Sequence, residues 1–549
     1  FELIDEIKKA IYNLGETGGP KELDYITHVF LYKFLNDKFI HELKQIVEQN
    51  KEIFKNYNLD TDSKSFVKDL ERLSEKEYEN FYNFLHPSVP KLARTHLLEN
   101  LYSKINNEDF IDEVDKVFQE IGNTNKEIFS ITSKGGKKRP SFDLNIRNSL
   151  SDVDEENHNK FAQSLINPLI NVNFETIFSY GYDFFSEIYE YLIEDYNKDG
   201  GGKYAEYFTP NSVSKVIANI LVSDGASNVE CYDPASGTGT LLMSLANRIG
   251  SDKSLIYGQD LQRKSTKLMA FNLILNNLVH SINNIAQANT LSEPFFTEGN
   301  ELKKFDFIVS NPPFKLDFSD IRELLVSEKF SARFFAGVPE IRPKDREGMA
   351  IFLLFIQHIL HSLKPKGRAA IVVPTGFLSN KSSIELSIKK YLVENNYLDG
   401  VIQLPKNIFA TTNTNVSIIF INKNKPDTNI RMVNAESLGE VEKLKVDNKT
   451  VEKTKLTPED SDLIVNLYNS DEQHSEKAIT INTENLLETN YYFSPLVYIP
   501  VESKHEPLDE SQLDMHISDS LNTLKDLMTI SKNLDEELLK MIKNLKYDR

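Results

Sequence analysis

The chain has 549 residues, of which 40% are hydrophobic and 26% charged, and its formal net charge at pH 7 is -19. Its single cysteine, Cys231, excludes an internal disulfide and a zinc site built from cysteines, and we interpret it as buried packing. No apolar run approaches the roughly 20 residues that cross a bilayer, so we expect a cytoplasmic protein. Because nonspecific affinity for DNA comes mostly from Lys and Arg, so acidic a chain is not expected to hold DNA alone.

Residues 1–165 have apolar side chains at spacings of three and four, with charged residues between them, which predicts a helical N-terminal domain. The clearest stretch contains Tyr25, Val29, Tyr32, Phe34, Leu35 and Phe39. A glycine-rich basic loop follows at residues 133–139. Its cations are Lys134, Lys137, Lys138 and Arg139. A solvated loop and a phosphate contact are equally compatible with this cluster.

Residues 166–425 alternate short apolar strands with helical patterns, which is typical of a doubly wound α/β sheet. We predict strands at Val229 to Asp233, Leu255 to Asp260, Ile285 to Ala288, Phe305 to Ser310, Arg368 to Val373, Leu398 to Gln403 and Val416 to Ile421. The glycine-rich segment before them does not meet the G-x-x-x-x-G-K-[ST] pattern of a phosphate-binding loop. The expected fold class is therefore α/β, with a seven-stranded sheet.

The C-terminal extension, residues 426–549, divides into two parts. Residues 426–507 are polar and irregular, and we assign no elements to them. From Gln512 onwards apolar residues recur at steps of mostly three and four, which predicts a long amphipathic helix or coiled coil. These residues are Ile517, Leu521, Leu524, Met528, Leu538, Ile542 and Leu545. Their apolar face is suited to docking on this chain or on a partner.

The first motif with chemical meaning is the strand that ends at Asp233, followed by a Pro-Ala-Ser-Gly-Thr-Gly turn and a helical pattern. Gly237 and Gly239 lack a Cβ, so the backbone can turn sharply and approach a ligand closely. Open α/β sheets bind cofactors at such turns. Because the turn carries an acid and its spacing differs from G-x-G-x-x-G, an ammonium-bearing ligand fits better than a pyrophosphate. The predicted cofactor residues are Asp233, Ser236, Gly237, Thr238 and Gly239; a helix-starting turn without a ligand is the alternative.

The second motif is the strand Phe305 to Ser310 running into Asn311, Pro312, Pro313 and Phe314. The two prolines fix φ and remove two N–H donors, which leaves rigid carbonyl oxygens without competing donors. If the Asn311 side-chain oxygen and the Pro312 carbonyl each accept a hydrogen of a base amine, the nitrogen lone pair faces a methyl donor. Phe314 is suited to stack on a base flipped out of the duplex. An ordinary strand-ending turn is the alternative interpretation.

Both motifs lie at strand ends of one sheet, so they are expected to line one cleft. With these motifs the sequence resembles the N6-adenine DNA methyltransferases, and more closely the modification subunit, HsdM, of Type I restriction-modification systems. The resemblance covers nearly the whole chain, including the helical N-terminal part, the Tyr-Phe-Thr-Pro segment at 207–210, and the stretches at 348–374 and 404–420. It implies a class I, Rossmann-like methyltransferase that uses S-adenosylmethionine to methylate adenine N6 in a site-specific manner.

The resemblance also implies cofactor contacts outside the glycine turn. It places over the cofactor Glu206, Tyr207, Phe208, Thr209 and Pro210. Thr209 is able to cap a helix whose first position is Pro210. Asp260, at the end of the second strand, is expected to accept hydrogen bonds from ribose hydroxyls. Family members often have an acid after the third strand that contacts the cofactor adenine; here it is Asn289, whose amide oxygen can accept the same bond. We predict no metal site, because transfer from a sulfonium needs none.

By resemblance, target recognition belongs to a separate specificity subunit, with two modification subunits per specificity subunit and a restriction (translocase) subunit in the full complex. The C-terminal helix is our candidate for holding the specificity subunit. The insert at 315–347 follows the predicted catalytic turn closely enough to contact the target strand, and its cations are Arg333, Arg342, Lys344 and Arg346. A role as a lid or as a contact with another subunit is an equal alternative. Rival functions are N4-cytosine or protein-glutamine methylation, a non-catalytic scaffold on DNA, and a nuclease or translocase.

Overall fold

The computed structural model describes residues 7, 20–61, 66–150, 154–178, 209–409, 414–446, 449–470, 476–499 and 510–544. Residues 1–499 form one compact unit, and residues 500–549 form a second. Glu206, Tyr207 and Phe208 lie outside the described residues. Among the helices that are described, none combines the length and apolar character needed to cross a membrane.

The N-terminal part is mainly helical, as predicted. Its helices are α1 (Pro20–Gln49), α2 (Lys51–Phe54), α3 (Phe66–Glu71), α4 (Glu75–Asn80), α5 (Leu98–Tyr102), α6 (Phe110–Thr124), α7 (Ile146–Ser149), α8 (Glu155–Ile166) and α9 (Glu175–Phe178). The apolar residues that set the period of α1, such as Tyr25, Val29 and Phe39, are fully buried. Helix α1 is buried on all sides between residues 25 and 37, so it forms the centre of this part, whereas α6 buries one face.

The basic segment at 133–139 is a β-hairpin and not a loop. Its strands are β1 (Ser130–Ser133) and β2 (Lys137–Pro140). Gly135 and Gly136 form the turn with φ values of 75° and 74°, a conformation that side chains with a Cβ rarely adopt. Strand β1 pairs in parallel with the strand that begins at Ile285, so a segment of the N-terminal part extends the central sheet. Sequence periodicity missed this hairpin because its partner strand is distant in the chain.

The remaining strands include all seven that the sequence predicts. They are β3 (Val229–Asp233), β4 (Ser254–Asp260), β5 (Ile285–Gln287), β6 (Thr297–Glu298), β7 (Glu301–Leu302), β8 (Phe305–Ser310), β9 (Leu363–Pro374), β10 (Leu398–Gln403), β11 (Val416–Asn422), β12 (Asn429–Asn434), β13 (Glu440–Val446), β14 (Lys449–Lys455) and β15 (Ala478–Asn482). The main sheet has 11 strands in the order β15-β12-β10-β11-β9-β8-β3-β4-β5-β1-β2. The expected seven-stranded sheet is thus extended at both edges.

Strand β3 marks the point at which the strand order reverses. It pairs in parallel with β4 on one side and with β8 on the other. Helices cover both faces of the sheet in this region, and the helix Phe352–Ser362 is buried on nearly all sides. They are α10 (Asn211–Leu221), α11 (Thr240–Ile249), α12 (Arg263–Leu275), α15 (Phe352–Ser362), α16 (Gly376–Ser379) and α17 (Ser383–Glu394). Open α/β sheets bind ligands at such a reversal, beyond the carboxyl ends of the strands.

The described residues between 426 and 499 are not irregular, contrary to the sequence-based description of residues 426–507. Strand β12 pairs in parallel with β10, and β15 pairs antiparallel with β12. Two helices accompany them, α18 (Pro458–Asn469) and α19 (Thr483–Glu488). Polar residues hid the pattern because some are buried with internal partners: Arg431 donates from Nε to the Leu467 carbonyl at 2.8 Å. Strands β13 and β14 form a separate two-stranded hairpin.

The insert at 315–347 packs onto the unit that contains the main sheet. It contains the short helices α13 (Arg322–Val326) and α14 (Glu328–Ser331). A buried apolar cluster joins the insert to the loop after β5 and to α15. The cluster is Leu291, Phe318, Leu325, Phe330, Phe334, Met349, Ile351, Leu354 and Phe355. The second unit contains α20 (Glu510–Asn544), which confirms the predicted long C-terminal helix.

Candidate active site

The glycine turn after β3 has the geometry expected of a ligand-binding turn. Gly237 and Gly239 have φ values of 51° and 85°. A Cβ on Gly239 would lie 3.0 Å from Cγ of Met269, whereas a Cβ on Gly237 would have no heavy atom within 4 Å. The Gly237 N–H donates to Oδ2 of Asp260 at 2.9 Å, so the end of β4 holds the turn in place. The turn is therefore closely packed behind Gly239 and open at Gly237.

Asp233 ends β3 in a buried position facing the second motif. Its Oδ1 accepts hydrogen bonds from the Ala235 N–H at 2.9 Å and from the Ser310 hydroxyl at 2.9 Å. Burial raises the pKa of Asp233 to about 7, although these two bonds oppose the shift, and the charge of Asp260 raises it further. Both of these hydrogen bonds end on Oδ1, so Oδ2 is able to accept a hydrogen bond from a ligand. A cationic group near Asp233 would relieve the cost of its ionisation.

Asp260 occupies the end of β4, as the sequence predicts. Its Oδ1 accepts from the Gln262 N–H at 2.8 Å, in addition to the bond from Gly237 to Oδ2. Burial raises the pKa of this carboxyl as well. Each carboxylate oxygen can accept a second hydrogen bond. The charge of Asp260 also raises the pKa of Asp233, and binding of ribose hydroxyls by Asp260 stays a prediction.

Asn311 and Thr209 are joined by a hydrogen bond that the sequence did not predict. The amide Nδ2 of Asn311 donates to Oγ1 of Thr209 at 3.1 Å, and both side chains are buried. Because the nitrogen of the amide is thereby engaged, its oxygen Oδ1 is the group left to accept from a substrate. The Thr209 hydroxyl therefore fixes which end of the Asn311 amide a ligand meets.

The expected helix-capping role of Thr209 is wrong. Helix α10 begins at Asn211, not at Pro210, and the residue in the capping position is Pro210, which makes no side-chain cap bond. Thr209 lies one residue too early to reach the free N–H groups of the first turn. Its hydroxyl is used instead by Asn311, 102 residues later in the chain.

The proline pair and Phe314 complete the second motif. Pro312 is buried, and Pro313 and Phe314 are half-buried. The Phe314 ring meets Phe352 edge to face, with ring centroids 6.4 Å apart. That contact fixes the ring at the mouth of the turn, where β8 ends. Stacking of Phe314 on a base stays a prediction.

A small cavity unites residues of both motifs. Its lining comprises Thr209, Asp233, Ala235, Ser236, Thr238, Thr240, Leu241 and Asn311. The Ser236 hydroxyl is buried and has no hydrogen-bond partner. A buried polar group without a partner is costly unless a ligand or water satisfies it. The described lining also contains a carboxylate and no Lys or Arg, so a cationic ligand with polar groups fits it better than a pyrophosphate.

Asn289 lies after β5 and makes a local turn. Its Oδ1 accepts from the N–H groups of Leu291 at 3.0 Å and Ser292 at 3.3 Å. An amide oxygen has two acceptor sites, and these bonds occupy both. The oxygen that we expected to bind the cofactor adenine is therefore engaged within the loop. The Nδ2 group is what Asn289 retains for a ligand.

Arg333 of the insert is buried and does not reach toward solvent, which contradicts the expectation that it contacts a target strand. Its guanidinium donates to the carbonyls of Thr290, at 3.4 Å, and Leu291. It also lies over the rings of Phe330 and Phe334, 4.6 and 4.4 Å from their centroids. Burial lowers the pKa of Arg333 to about 10. Arg333 thus anchors the insert to the loop that follows Asn289.

The structure also defines the surroundings of His358 and Cys231. His358 is buried in α15, 3.3 Å from the Tyr232 hydroxyl and 3.4 Å from Arg333, which fits a packing role. Cys231 is free and buried. In the part of the chain that the structure describes, no cluster of three or more His, Cys, Asp or Glu side chains is arranged to hold a metal.

Comparison with known proteins gives consistent results. The family model for N-6 DNA Methylase matches residues 180–507. The Type I restriction enzyme MpnII methylase subunit of Mycoplasma pneumoniae is 26% identical over 550 residues, which cover 98% of this chain and 95% of that protein. The MjaVIII methylase subunit of Methanocaldococcus jannaschii is 25% identical over 450 residues, 80% of this chain and 71% of that protein. The crystal structure of a Type I system methyltransferase subunit from Streptococcus thermophilus has a similar fold, with a TM-score of 0.72, 21% identity, and coverage of 91% of this chain and 99% of that one.

Proposed function

The chain belongs to the N-6 DNA methylase family, and we propose that it methylates adenine N6 in DNA as the modification subunit of a Type I restriction-modification complex. The observation that carries this proposal is the oriented amide of Asn311. Its oxygen is left for a substrate, its nitrogen is held by Thr209, and both residues line a cavity with Asp233. An acceptor directed at a substrate amine, beside an acidic cofactor turn, is what amine methylation requires.

We propose S-adenosylmethionine as the methyl donor, held by Asp233, Ser236, Gly237, Thr238 and Gly239, with Asp260 on the ribose. The unpartnered Ser236 hydroxyl and the two buried acids support this assignment. When bound, the cofactor supplies an electrophilic methyl group on a positively charged sulfur. The Asp233 carboxylate binds and orients its cationic part, while the open face of Gly237 leaves room for close approach. Segment 206–210 is proposed to close over the same site.

The chain's own residues act on the adenine by orienting its amine. Adenine N6 is a poor nucleophile because its lone pair is delocalised into the ring. We propose that Oδ1 of Asn311 and the carbonyl of Pro312 each accept one N6 hydrogen, which favours a tetrahedral nitrogen with its lone pair facing the methyl group. Phe314 stacks on the base, which is flipped out of the duplex because N6 is not accessible to a methyl donor inside it. After transfer, the nitrogen loses a proton to a carbonyl oxygen or to water.

The test is transfer of a labelled methyl group to DNA by the chain purified with its specificity subunit, comparing the wild type with Asn311→Ala. We expect the substitution to lower transfer by about a hundredfold or more, the loss typical of removing one preorganised polar group at a reacting centre. Binding of S-adenosylmethionine, measured by calorimetry, should persist. Transfer that survives in Asn311→Ala would contradict the assigned role of the amide.

We further propose that α20 binds the specificity subunit, with two copies of this chain per specificity subunit and a restriction subunit completing the complex. Exposed apolar side chains support this, since Leu521, Leu524 and Met528 are 52%, 55% and 66% exposed. Such a stripe on a helix is suited to helix-to-helix packing. Leu521→Asp with Leu524→Asp should prevent co-purification with the specificity subunit and leave cofactor binding unchanged. Retained co-purification would contradict this placement, and the mass of the intact complex reports the stoichiometry.

A further inference from the structure

The β1–β2 hairpin carries a local positive charge that contrasts with the rest of the chain. Residues 128–142 contain four Lys or Arg and no Asp or Glu, in a protein whose net charge is -19. The side chains of Lys137, Lys138 and Arg139 on β2 are all exposed. Lys134 lies in the turn. The cations are held on a rigid element, because β1 is paired on both sides, with β2 and with β5.

The position of the hairpin relates it to the active site. Strand β1 runs parallel to β5, and Ser133 pairs with Gln287, which in turn pairs with Asp260 of β4. The turn of the hairpin therefore begins at the same edge of the sheet as the cofactor turn. Five strand-to-strand steps, β2-β1-β5-β4-β3-β8, separate the cations of β2 from the strand that leads into Asn311. At roughly 4.8 Å per step, that distance is about 24 Å.

This distance suits a DNA duplex bound with its target base at Asn311. Along a duplex, about 24 Å corresponds to roughly seven base pairs at about 3.4 Å each, or about two-thirds of a helical turn. A cation at that distance lies beside the backbone that flanks the flipped base. Phosphate contacts position a duplex without reading its sequence, which exposed Lys and Arg on a strand are able to do.

The first acid after the hairpin is already paired with other cations. This acid, Asp143, accepts from Arg263 and Lys267, both at 2.8 Å. Both of these cations belong to α12, which begins after Asp260 at the same edge of the sheet. Lys138 donates to the neutral Asn283 at 3.3 Å. The hairpin charge is therefore available to an external anion.

We propose that the β1–β2 hairpin binds phosphates of the substrate DNA about two-thirds of a helical turn from the methylated base. This inference rests on the proposed function, because it takes duplex DNA as the substrate. A different role for such residues is to discourage association of an exposed sheet edge, since β2 is the terminal strand and Lys on edge strands has that effect. The two roles differ in their dependence on salt.

The experiment measures the affinity of the complex of this chain with its specificity subunit for a fluorescent 40-base-pair duplex of random sequence, at several salt concentrations. The test variant is Lys137→Gln, Lys138→Gln, Arg139→Gln. The logarithm of the affinity falls linearly with the logarithm of the salt concentration, and each lost phosphate contact makes this slope shallower by about 0.9. We therefore expect the magnitude of the slope to decrease by about 2 to 3 in the test variant. At 0.1 M salt we expect binding at least about tenfold weaker. The control, Lys76→Gln, Lys253→Gln, Lys366→Gln, makes the same charge change at other exposed lysines and should leave the slope unchanged.

Methyl transfer to unmethylated DNA at saturating concentration is measured alongside. A wild-type complex that methylates DNA, together with an unchanged slope in the hairpin variant, would overturn this proposal and leave the proposed function intact. Self-association of the hairpin variant with unchanged DNA binding would overturn it too, in favour of the edge-protecting role. A wild-type complex that neither methylates nor binds the duplex would overturn both.

Discussion

Replacing Thr209 by Val removes the acceptor that orients Asn311 while nearly preserving side-chain shape. In the wild type the bond from Asn311 Nδ2 to Thr209 Oγ1 is 3.1 Å long, and the two residues are only 8% and 5% exposed. An amide N–H left without a partner in so buried a place costs about 1 to 3 kcal/mol. If the amide loses that much preference for its productive orientation, the rate of methyl transfer falls by about 5- to 150-fold.

The assay is single-turnover transfer of a labelled methyl group to DNA at saturating cofactor, with the affinity for S-adenosylmethionine measured by calorimetry and folding checked by thermal unfolding. Thr209→Ser keeps the hydroxyl and should restore the rate to near the wild-type value. Thr209→Val should lower the rate with little change in cofactor affinity. The reasoning is refuted if Thr209→Val transfers methyl groups at the wild-type rate. It is also refuted if both variants bind the cofactor more weakly but keep the wild-type rate, because that result would mean that Thr209 only contacts the cofactor.

Three further predictions concern the cofactor side of the cleft. Burial raises the pKa of Asp233 to about 7, and a cation binds the ionised form of this carboxyl. The dissociation constant for S-adenosylmethionine should therefore rise toward tenfold per pH unit as pH falls below 7. The Asp233→Asn variant should bind the cofactor more weakly and without this pH dependence, and a wild type whose affinity does not change with pH would contradict the assignment. Asn289→Asp keeps an oxygen for the turn and adds a free acceptor, so we expect several-fold tighter cofactor binding in calorimetry; weaker binding would argue against an adenine contact there. Arg333→Met should lower the unfolding temperature and weaken cofactor binding, because the buried carbonyls of the loop lose their hydrogen-bond donor at a cost of about 1 to 3 kcal/mol. The control Arg342→Gln changes an exposed arginine and should alter neither quantity. Equal effects of the two substitutions would refute the anchoring role of Arg333.

The sequence predicted the strands and turns of the site because each depends on a local pattern. Val229 to Asp233 and Phe305 to Ser310 are apolar runs bounded by turn residues, and that composition is sufficient to mark buried parallel strands. Gly237 and Gly239 mark the cofactor turn because only glycine easily adopts their positive φ values. The acids Asp233 and Asp260 then follow from their positions at strand ends.

What the sequence did not predict depends on contacts between distant segments. The bond from Asn311 to Thr209 joins residues 102 positions apart, and no local pattern distinguishes that role from helix capping. Arg333 resembles its exposed neighbours in sequence and differs from them only in packing against the loop after β5. The hairpin beginning at Ser130 is short, and it becomes part of the sheet only through its pairing with Ile285–Gln287.

The identity of the methylated base tests the central claim most directly. Unmethylated DNA is incubated with deuterium-labelled S-adenosylmethionine and the chain in complex with its specificity subunit, then digested to nucleosides and analysed by mass spectrometry. The account predicts labelled N6-methyl-2′-deoxyadenosine from the wild type and its loss from Asn311→Ala. Labelled N4-methylcytosine instead, or no labelled nucleoside from a wild-type complex that binds the cofactor, would contradict it.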